Sequence, residues 1–359
     1  MPRPHRSLFT AFAAVAFLSA FAQQKDARFV PMCVGFYNVE NLHDTLDDPI
    51  TNDAAWLPNA PKQWNTARYQ RKLSRLAQVV GEMAGDITPD GLACIGFAEL
   101  ENRSVLEDLV HTAPLDKRNY QIVHHDSPDR RGIDVGFIYN PKYFQLLNER
   151  IYPLRDPQDT AFRTRDQLVV SGVLDGDTVS FIVAHWPSRY GGEKISLPKR
   201  MLAGKLGRHI ADSLMARYRN ARIIYMGDLN DDPNSPSLRR YLKVTGEKEE
   251  ATDGMLFDAM TSLYEKGVGT LAYADAWNLF DQVILSPALV TGEGGRYKFY
   301  GARVFNQPYL CQTEGNYAGY PLRTYVGDQY TDGYSDHFPV FVILVRPAEW
   351  DQKPVPPEN

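Results

Sequence analysis

The feature of this sequence that most limits its fold is a series of short apolar runs rich in β-branched and aromatic residues. Runs of this length and composition are typical of β-strands when turn-forming residues separate them. One pair, QLVVSGVLDGDTVSFIVAHW (167–186), carries Asp175-Gly176 between two such runs, which is a strong hairpin signal. We therefore predict nine strands, at 30–39, 92–100, 119–125, 133–140, 167–174, 178–185, 221–227, 277–286 and 338–345.

Two segments between these runs have helical periodicity instead. In RYQRKLSRLAQVVGEM (68–83), leucines and valines recur along one helical stripe. The segment PKRMLAGKLGRHIADSLMARY (198–218) begins with proline, which a helix tolerates best at its first position. Many strands, several joined by hairpins, with long helices between them, predict an α+β fold of packed sheets with helices outside.

The N-terminal segment differs in character from the rest of the chain. MPRPHRSLFTAFAAVAFLSAFA (1–22) combines two arginines, an apolar run and a small-residue cleavage site, which is the pattern of a secretory signal. The apolar run is shorter than the about 20 residues that span a bilayer. We predict cleavage after Ala22, a secreted or periplasmic protein, and no stable membrane association.

Composition and chain ends suggest one large domain. We divide the chain into the signal peptide 1–22, a short segment 23–29, a domain 30–346 and a loosely held, proline-rich tail 347–359. The formal charge of −5 becomes −7 once the two arginines of the signal are removed. Such a chain lacks the broad basic surface of a non-specific nucleic-acid binder, although an enzyme can hold a phosphodiester through a few arginines and a metal.

The chain has only three cysteines, Cys33, Cys94 and Cys311. Cys33 and Cys94 lie in apolar runs, so we expect free, buried thiols. A single disulfide is the alternative, because the chain is expected to be exported.

Polar residues follow or interrupt several of the apolar runs. A buried strand has no use for a carboxylate unless that group is paired or binds a ligand, and sites are often built at strand ends. Ser335, Asp336 and His337 are consecutive, so they form no catalytic triad among themselves. The segments that show this pattern are FYNVEN, GFAELEN, AHWPSR, GDLND, WNLFDQVILS and GYSDHFP.

Together with RRGIDVGFIY, and in this order, these segments resemble the endonuclease/exonuclease/phosphatase superfamily. The resemblance covers residues 30–346. It implies a four-layer α/β/β/α sandwich in which two mixed β-sheets pack face to face. It also implies hydrolysis of phosphate esters with the help of a divalent cation.

By this resemblance, Glu99 matches the metal-binding glutamate, with Asn38 nearby. Hard cations such as Mg²⁺ prefer oxygen ligands and keep several waters, so few protein ligands suffice. We expect Mg²⁺, with Mn²⁺ or Ca²⁺ as alternatives. Glu40 occupies a position where some members carry an acidic metal-site residue, but Glu40 could instead hydrogen-bond the following loop.

The remaining matches concern water, phosphate and protons. Asp228 matches the aspartate that orients or deprotonates the attacking water, and Asn230 the residue that hydrogen-bonds the phosphate. Asp336 matches a further acidic residue that serves the metal site or handles protons.

Two histidines complete the resemblance. His337 matches the phosphate-facing histidine and Asp281 its buried orienting partner, since a carboxylate on one ring nitrogen raises the basicity of the other. His185 matches a histidine of the deoxyribonuclease-like branch, where it acts as a general acid. Asp134 is the candidate acid that orients His185.

Arginines beside these motifs are candidate phosphate ligands, because guanidinium groups bind phosphate through two parallel hydrogen bonds. These candidates are Arg163, Arg165 and Arg189. The basic residues of the first helix, Lys72 among them, are instead expected to form a solvated face. A tyrosine-rich segment at 313–334 could stack on bases or simply anchor a long loop.

The function we predict is therefore an exported, metal-dependent phosphodiesterase, most simply a monomeric nuclease in which water attacks phosphorus in line. Nucleic acid or another phosphodiester is the expected partner. A phosphatase or phospholipid phosphodiesterase on the same scaffold is the first alternative, since substrate loops decide specificity. A non-catalytic binding protein is the second, which the presence of Glu99, Asp228 and His337 argues against.

Overall fold

Two large β-sheets lie face to face at the centre of the molecule. The structure, a computed structural model, describes residues 29–252, 254–273 and 275–349. The predicted signal peptide 1–22 lies outside the described residues, as do residues 23–28 and 350–359. Among the described residues, no helix is both long enough and apolar enough to cross a membrane.

The chain forms seventeen strands and five α-helices within the described residues. The helices are α1 (Thr66–Glu82), α2 (Arg103–Val110), α3 (Glu193–Arg217), α4 (Thr261–Glu265) and α5 (Pro287–Thr291). The strands are β1 (Phe29–Leu42), β2 (Cys94–Leu100), β3 (Gln121–His124), β4 (Asp134–Tyr139), β5 (Phe144–Tyr152), β6 (Gln167–Leu174), β7 (Asp177–His185), β8 (Arg222–Asp228), β9 (Val244–Thr245), β10 (Leu256–Asp258), β11 (Leu271–Tyr273), β12 (Ala276–Asn278), β13 (Asp281–Leu285), β14 (Lys298–Val304), β15 (Tyr325–Val326), β16 (Gln329–Tyr330) and β17 (Val340–Pro347).

Both large sheets are mixed. The six-stranded sheet has the order β14-β17-β1-β2-β4-β3, and the seven-stranded sheet has the order β5-β6-β7-β8-β13-β10-β9. The central pairs β1–β2 and β7–β8 are parallel, whereas most other neighbours are antiparallel. Because the ends of parallel neighbours meet at one edge, residues that follow β1 and β2, or β7 and β8, are brought side by side.

Successive side chains of a strand point to opposite faces of its sheet, and this alternation places the apolar side chains in three layers. Phe181 and Val183 of β7 face the core between the sheets, whereas Ile182 and Ala184 face α3. Helices α1 and α2 cover the outer face of the other sheet through a third cluster. The sheets approach closely at Gly96, where a Cβ atom would lie 2.7 Å from the Met226 sulfur. The predicted four-layer α/β/β/α sandwich is confirmed.

The two predicted helices are present, with one correction. Helix α1 begins after Asn65, whose side chain accepts a hydrogen bond from the Arg68 amide. Helix α3 begins at Glu193, so Pro198 lies inside it rather than at its start. Pro198 is the sixth residue of the helix, so α3 lacks one backbone hydrogen bond there, to the Lys194 carbonyl.

Edge strands were the main omission of the sequence analysis. Strand β5 was missed because most of its residues are exposed, so it lacks a long apolar run. Strand β14 is likewise half exposed. The predicted hairpin is present, and Asp175 and Gly176 both have positive φ angles, of 45° and 91°, as its tight turn requires. Cys33 and Cys94 are free and buried, as expected.

Candidate active site

The two sheets meet at a hydrogen bond between strand ends. The Asn38 amide, at the end of β1, donates to Asp228 Oδ2, at the end of β8, over 3.0 Å. Asp228 is paired in register with His185 on one side and with Asp281 on the other. Residues far apart in the chain therefore converge on Asp228 at one edge of the sandwich.

Strained backbone marks the same edge. Glu40, Glu99 and Asn230 have φ angles of 53°, 66° and 51°, which residues other than glycine rarely adopt. The β1–β2 and β2–β4 ladders are also irregular beside Glu40 and Glu99. Bulges and left-handed residues cost free energy and cluster at functional sites, where they direct side chains away from the regular pleat.

His337 and Asp281 form a buried ion pair. Asp281 Oδ2 lies 2.6 Å from His337 Nδ1, and both side chains are buried. Burial opposes the charge on His337, but attraction by Asp281 and Asp228 outweighs burial and holds the pKa of His337 well above its ordinary value. Ser335 supports this arrangement, since its hydroxyl accepts from the His337 amide and donates to the Asn38 carbonyl.

Asp228 lies at the centre of the site. His185 Nε2 is 3.5 Å and His337 Nε2 is 3.9 Å from its Oδ2. Burial, only partly offset by His337, raises the pKa of Asp228 to about 7. A carboxylate with such a pKa is suited to exchanging a proton with water near neutral pH.

The environment of His185 differs from the prediction. Burial lowers the pKa of His185 well below its ordinary value, and nearby Arg165 adds to this effect. This environment favours the neutral imidazole, and the role of His185 as a general acid stays a prediction. Its Nε2 also lies 4.0 Å from Glu99 Oε1, whereas Nδ1 has no hydrogen-bond partner among the described residues.

Asp134 does not orient His185. Its carboxylate accepts from the amide and hydroxyl of Ser127, and lies 3.3 Å from His124 Nε2. Asp134 is the first residue of β4, and the bulge beside Leu100 shapes this end of the sheet. The predicted partnership of Asp134 and His185 is therefore wrong.

The adjacent histidines 124 and 125 point in different directions, as expected on a strand. His124 is buried beside Asp134, whereas the exposed His125 contacts Glu149 of β5 over 2.9 Å. His124, Asp126 and Asp134 offer ligand atoms within 4.8 Å of one another, a spacing that could hold a metal ion.

Asn230 and Arg165 share one carbonyl behind the site. The Asn230 amide donates to the Trp186 carbonyl over 3.0 Å, and Arg165 donates to the same oxygen over 2.7 Å. Arg165 is buried and also forms a 2.9 Å ion pair with Asp129. Arg165 thus holds the strand ends together and is not available for phosphate, contrary to the prediction.

The other two predicted arginines differ in position. Arg163 is exposed and donates to carbonyls of its own loop, at Thr160 and Phe162. No contact in the described structure joins Arg163 to the site. Arg189 donates to the Asn230 carbonyl over 2.9 Å and lies over the Phe280 ring, so phosphate binding by Arg189 stays a prediction.

Two cationic residues of the site were missed. Lys72 was expected on a solvated face, but it is buried and donates to Thr324 Oγ1 and to the Tyr334 carbonyl. Lys72 lies on the same helical stripe as the apolar residues of α1, and this position in the sequence predicts its burial. Arg323 contacts Glu40 Oε1 over 3.2 Å and Asp336 Oδ2 over 2.7 Å, and no local pattern marked it.

The balance of charge at the site fits a divalent cation. Among the described residues, five carboxylates face three cationic groups. Glu99 has no lysine or arginine partner, and its Oε2 accepts only the Asn41 amide, over 2.9 Å. Oxygen donors with surplus negative charge suit hard cations such as Mg²⁺. The carboxylates are Glu40, Glu99, Asp228, Asp281 and Asp336, and the cationic groups are Lys72, Arg323 and His337.

Aromatic side chains border the site. Trp277 stacks on Phe338, the residue after His337, with ring centroids 6.1 Å apart, and its other contact is with Tyr320. Trp277 is 40% exposed. In contrast, Tyr325 packs against Trp64 beneath the tyrosine-rich segment. The segment at 313–334 is therefore anchored at Tyr325, and its Tyr320 forms, together with Trp277 of β12, an exposed aromatic rim.

Both the sequence and the fold of this chain are similar to those of known proteins. The sequence profile of the Endonuclease/Exonuclease/phosphatase family matches residues 33–346. No curated protein matches the chain significantly.

Several solved structures are similar in fold. An endonuclease/exonuclease/phosphatase family protein from Bacteroides thetaiotaomicron is 18% identical, with a TM-score of 0.53 over 90% of this chain and 98% of that chain. A mannosyl-6-phosphatase from the same species is 17% identical, with a TM-score of 0.53 over 87% and 99%. D. rerio TDP2 in complex with a single-strand DNA product is 13% identical, with a TM-score of 0.51 over 88% and 98%. At these identities the similarity establishes the fold, and since the family profile spans most of the chain, the chain belongs to the endonuclease/exonuclease/phosphatase family.

Proposed function

We propose that this chain is a divalent-cation-dependent phosphodiester hydrolase that cleaves DNA or RNA. The observation that carries the proposal is the convergence on Asp228. A buried carboxylate with a pKa of about 7 lies 3.9 Å from a histidine that Asp281 keeps charged. This pairing supplies a proton acceptor for water and a positive charge for phosphate in one place.

In the proposed reaction, water attacks phosphorus in line with the leaving oxygen. Asp228 accepts the proton of the attacking water as the new P–O bond forms. The Asn38 side-chain amide donates to Asp228 Oδ2, and the backbone N–H of Asn230 donates to Asp228 Oδ1 over 3.0 Å. The carboxylate is therefore positioned before substrate arrives. As the new P–O bond forms, the bond from phosphorus to the leaving oxygen breaks, that oxygen takes up a proton from solvent, and Asp228 afterwards returns its proton to solvent.

Charge on the non-bridging oxygens needs fixed positive groups. His337 is charged and cannot rotate away, because Asp281 holds Nδ1 and leaves Nε2 to face the substrate. Electrostatic groups that are positioned in advance usually contribute the largest part of such catalysis.

The divalent cation would be held by Glu99 and Asn38. Glu99 lacks a cationic partner among the described residues and is the ligand that the charge balance favours. Bound there, Mg²⁺ or Mn²⁺ would act as a Lewis acid toward a phosphoryl oxygen.

The exposed aromatic rim supports a nucleic-acid substrate. Trp277 extends outward from Phe338, which is covalently next to His337. Bases stack on such rings with little regard to sequence, at about 1–3 kcal/mol each. The similar structure of TDP2 contains single-strand DNA as a product. Export through the predicted signal peptide would suit the degradation of extracellular nucleic acid, and we include export in the proposal.

A phosphatase is the second candidate, and one observation favours it. The arginines expected to bind a phosphate backbone are committed elsewhere, since Arg165 pairs with Asp129 and Arg189 contacts Asp231 and Asp232. An acidic surface with few free arginines suits a small phosphomonoester better than a polyanion. The mannosyl-6-phosphatase of similar fold points the same way.

A substrate panel separates the two candidates. Purified protein would be incubated with supercoiled plasmid, RNA, sphingomyelin and hexose 6-phosphates, in Mg²⁺, Mn²⁺ or Ca²⁺ and with chelator. We expect chelator-sensitive cleavage of nucleic acid. Phosphate release from monoesters with nucleic acids intact would refute the nuclease and support the phosphatase.

The matched variants are Asp228→Asn and Asp258→Asn. Both aspartates are buried and both have a pKa raised to about 7, but Asp258 lies in β10 outside the site. Only Asp228→Asn is expected to abolish hydrolysis. Trp277→Ala should raise KM for polynucleotides several-fold and leave kcat little changed.

A further inference from the structure

Arg323 connects two acidic residues of the site. Its Nε lies 3.2 Å from Glu40 Oε1 and its Nη2 lies 2.7 Å from Asp336 Oδ2. A guanidinium group presents donors in a rigid fork, so a single arginine can satisfy both carboxylates at once. Arg323 is 43% exposed in its side chain, whereas Glu40 is almost fully buried.

Glu40 has little capacity left for a metal ion. Its Oε2 accepts the Thr324 amide over 2.6 Å and lies 3.9 Å from the Lys72 ammonium. With Oε1 bound by Arg323, both carboxylate oxygens of Glu40 have donors. Glu40 therefore holds the distant segment that contains Arg323 and Thr324, rather than the loop that follows Glu40 in the sequence.

The segment that carries Arg323 is firmly anchored. Tyr325 donates to the Lys62 carbonyl over 2.9 Å and packs on Trp56 and Trp64. Lys72 on α1 binds both Thr324 and the Tyr334 carbonyl. Because both ends of the segment are bonded to the first layer of the sandwich, the guanidinium has a defined position.

The site thus has two unlike halves. On the Glu40 and Asp336 side, Arg323 and Lys72 compensate the carboxylates. On the Glu99 side, no lysine or arginine in the described part of the chain pairs with the carboxylate. Arg323, Lys72 and Arg165 attract Glu99 only from beyond ion-pair distance, so Glu99 keeps its oxygens for a cation in contact, whereas the Glu40 and Asp336 side must first lose Arg323.

We propose that Arg323 takes the place of a second metal ion in this site. Its guanidinium group pairs with Glu40 and Asp336, so only the Glu99 and Asn38 side is left for a single divalent ion. The inference rests on the proposed function, which assigns a divalent cation to the chain. Arg323 acts as a positioning residue, because it holds Asp336, whose Oδ1 lies 3.9 Å from His337 Nε2.

The test counts bound metal without substrate. The full chain, purified free of metal, would be titrated with Mn²⁺, and bound Mn²⁺ counted from the loss of the free-ion electron paramagnetic resonance signal. Wild type should bind one Mn²⁺ tightly, and Arg323→Ala should bind two. Arg323→Lys keeps the charge and should bind one. Arg71→Ala is the matched control, since Arg71 also pairs with a carboxylate, Asp332, and should also bind one.

Two further variants keep the test independent of the folding of Arg323→Ala. Glu99→Gln should weaken the single Mn²⁺ site at least tenfold, whereas Glu40→Gln should leave its affinity within about twofold of wild type. An Arg323→Ala variant that folds and still binds one Mn²⁺ overturns the inference, as does a Glu40→Gln variant that loses the site. Because His124, Asp126 and Asp134 could hold a further ion, the count is repeated in an Asp126→Asn background. Two Mn²⁺ in that background overturn the inference but not the proposed function, and no Mn²⁺ in wild type overturns both.

Discussion

The ion pair between His337 and Asp281 offers the sharpest test of the site. Asp281→Asn keeps the size of the side chain and removes its charge. Asp281 is fully buried, and its Oδ1 has no hydrogen-bond partner among the described residues. The substitution therefore acts mainly on the 2.6 Å contact with His337 Nδ1, and it also removes a charge that helps to raise the pKa of Asp228.

The expected magnitude follows from the contact distance. The charges of an imidazolium and a carboxylate are delocalised, so their centres lie about 4 Å apart even in contact, and they attract by about 4 kcal/mol at an effective dielectric constant of about 20. Burial opposes the charge on His337 and remains in the variant, and Asp228 and Asp336 only partly offset it, so the pKa of His337 should fall far from its raised value. If most of the lost attraction acts on the transition state, kcat falls about 10²–10³-fold, at about 1.4 kcal/mol for each factor of ten.

The pH dependence carries more information than the rate alone. In wild type, His337 stays charged through neutral pH, and activity rises as Asp228 loses its proton near pH 7. In Asp281→Asn, His337 becomes charged only at low pH, where Asp228 is protonated. The two required states no longer coexist, so the maximum of kcat should shift to lower pH as well as fall.

Two measurements would establish or refute this reasoning. Nuclear magnetic resonance of ring ¹⁵N-labelled protein reports the charge and tautomer of His337 directly, and kcat would be followed from pH 5 to 9. A variant whose His337 remains charged at pH 8, or whose kcat stays within threefold of wild type, contradicts the argument. Unchanged thermal unfolding would show that any loss of rate is local.

Three further predictions concern the stability of the protein and the position of Arg323. Burial raises the pKa of Asp258 from 3.8 to about 7, so between these pH values the folded state binds a proton that the unfolded state has lost. The free energy of unfolding should therefore fall as pH rises from about 4 to about 7. Asp258→Asn should remove this dependence and stabilise the protein at pH 8 by about 2–4 kcal/mol, as measured by urea unfolding. Lys72→Met should destabilise the fold by about 3–5 kcal/mol, because Glu40 loses a buried partner, and adding Glu40→Gln should recover part of the loss. In Gly333→Ala, the new Cβ would lie 1.9 Å from the Arg323 carbonyl, so Arg323 should be displaced and kcat should fall; a variant with wild-type kcat and melting temperature would show that this backbone can move freely.

Much of the fold could be predicted because strand formation depends on residues that are close together in the sequence. All nine predicted apolar runs contain strands, and the Asp175-Gly176 turn defines its hairpin. The strands that were missed, such as β5 and β14, lie at sheet edges, where one face meets solvent and no continuous apolar run is needed. The start of α3 was misplaced because proline favours the first position of a helix, whereas Pro198 lies inside α3 at the cost of one backbone hydrogen bond.

The site was predictable to the extent that its residues follow strands. His185 lies beside Asp228 because β7 and β8 are a parallel pair whose ends meet, and the parallel pair β1 and β2 likewise brings Asn38 near Glu99. The partnership proposed for Asp134 was wrong because its strand pairs with a bulge that no local signal revealed. Arg323 could not be found, since its loop has no period and reaches Glu40 across 283 residues.

The sequence by itself determined where strands run, which residues end them and which chemical groups those ends carry, because each of these depends on near neighbours in the chain. Only the tertiary structure decided which charges meet. The stacking of two sheets places the Asn38 amide on Asp228 over 190 residues, buries Lys72 and brings Arg323 between Glu40 and Asp336. The physical reason is that burial and distance set electrostatic energies, and both are properties of packed layers rather than of any single segment.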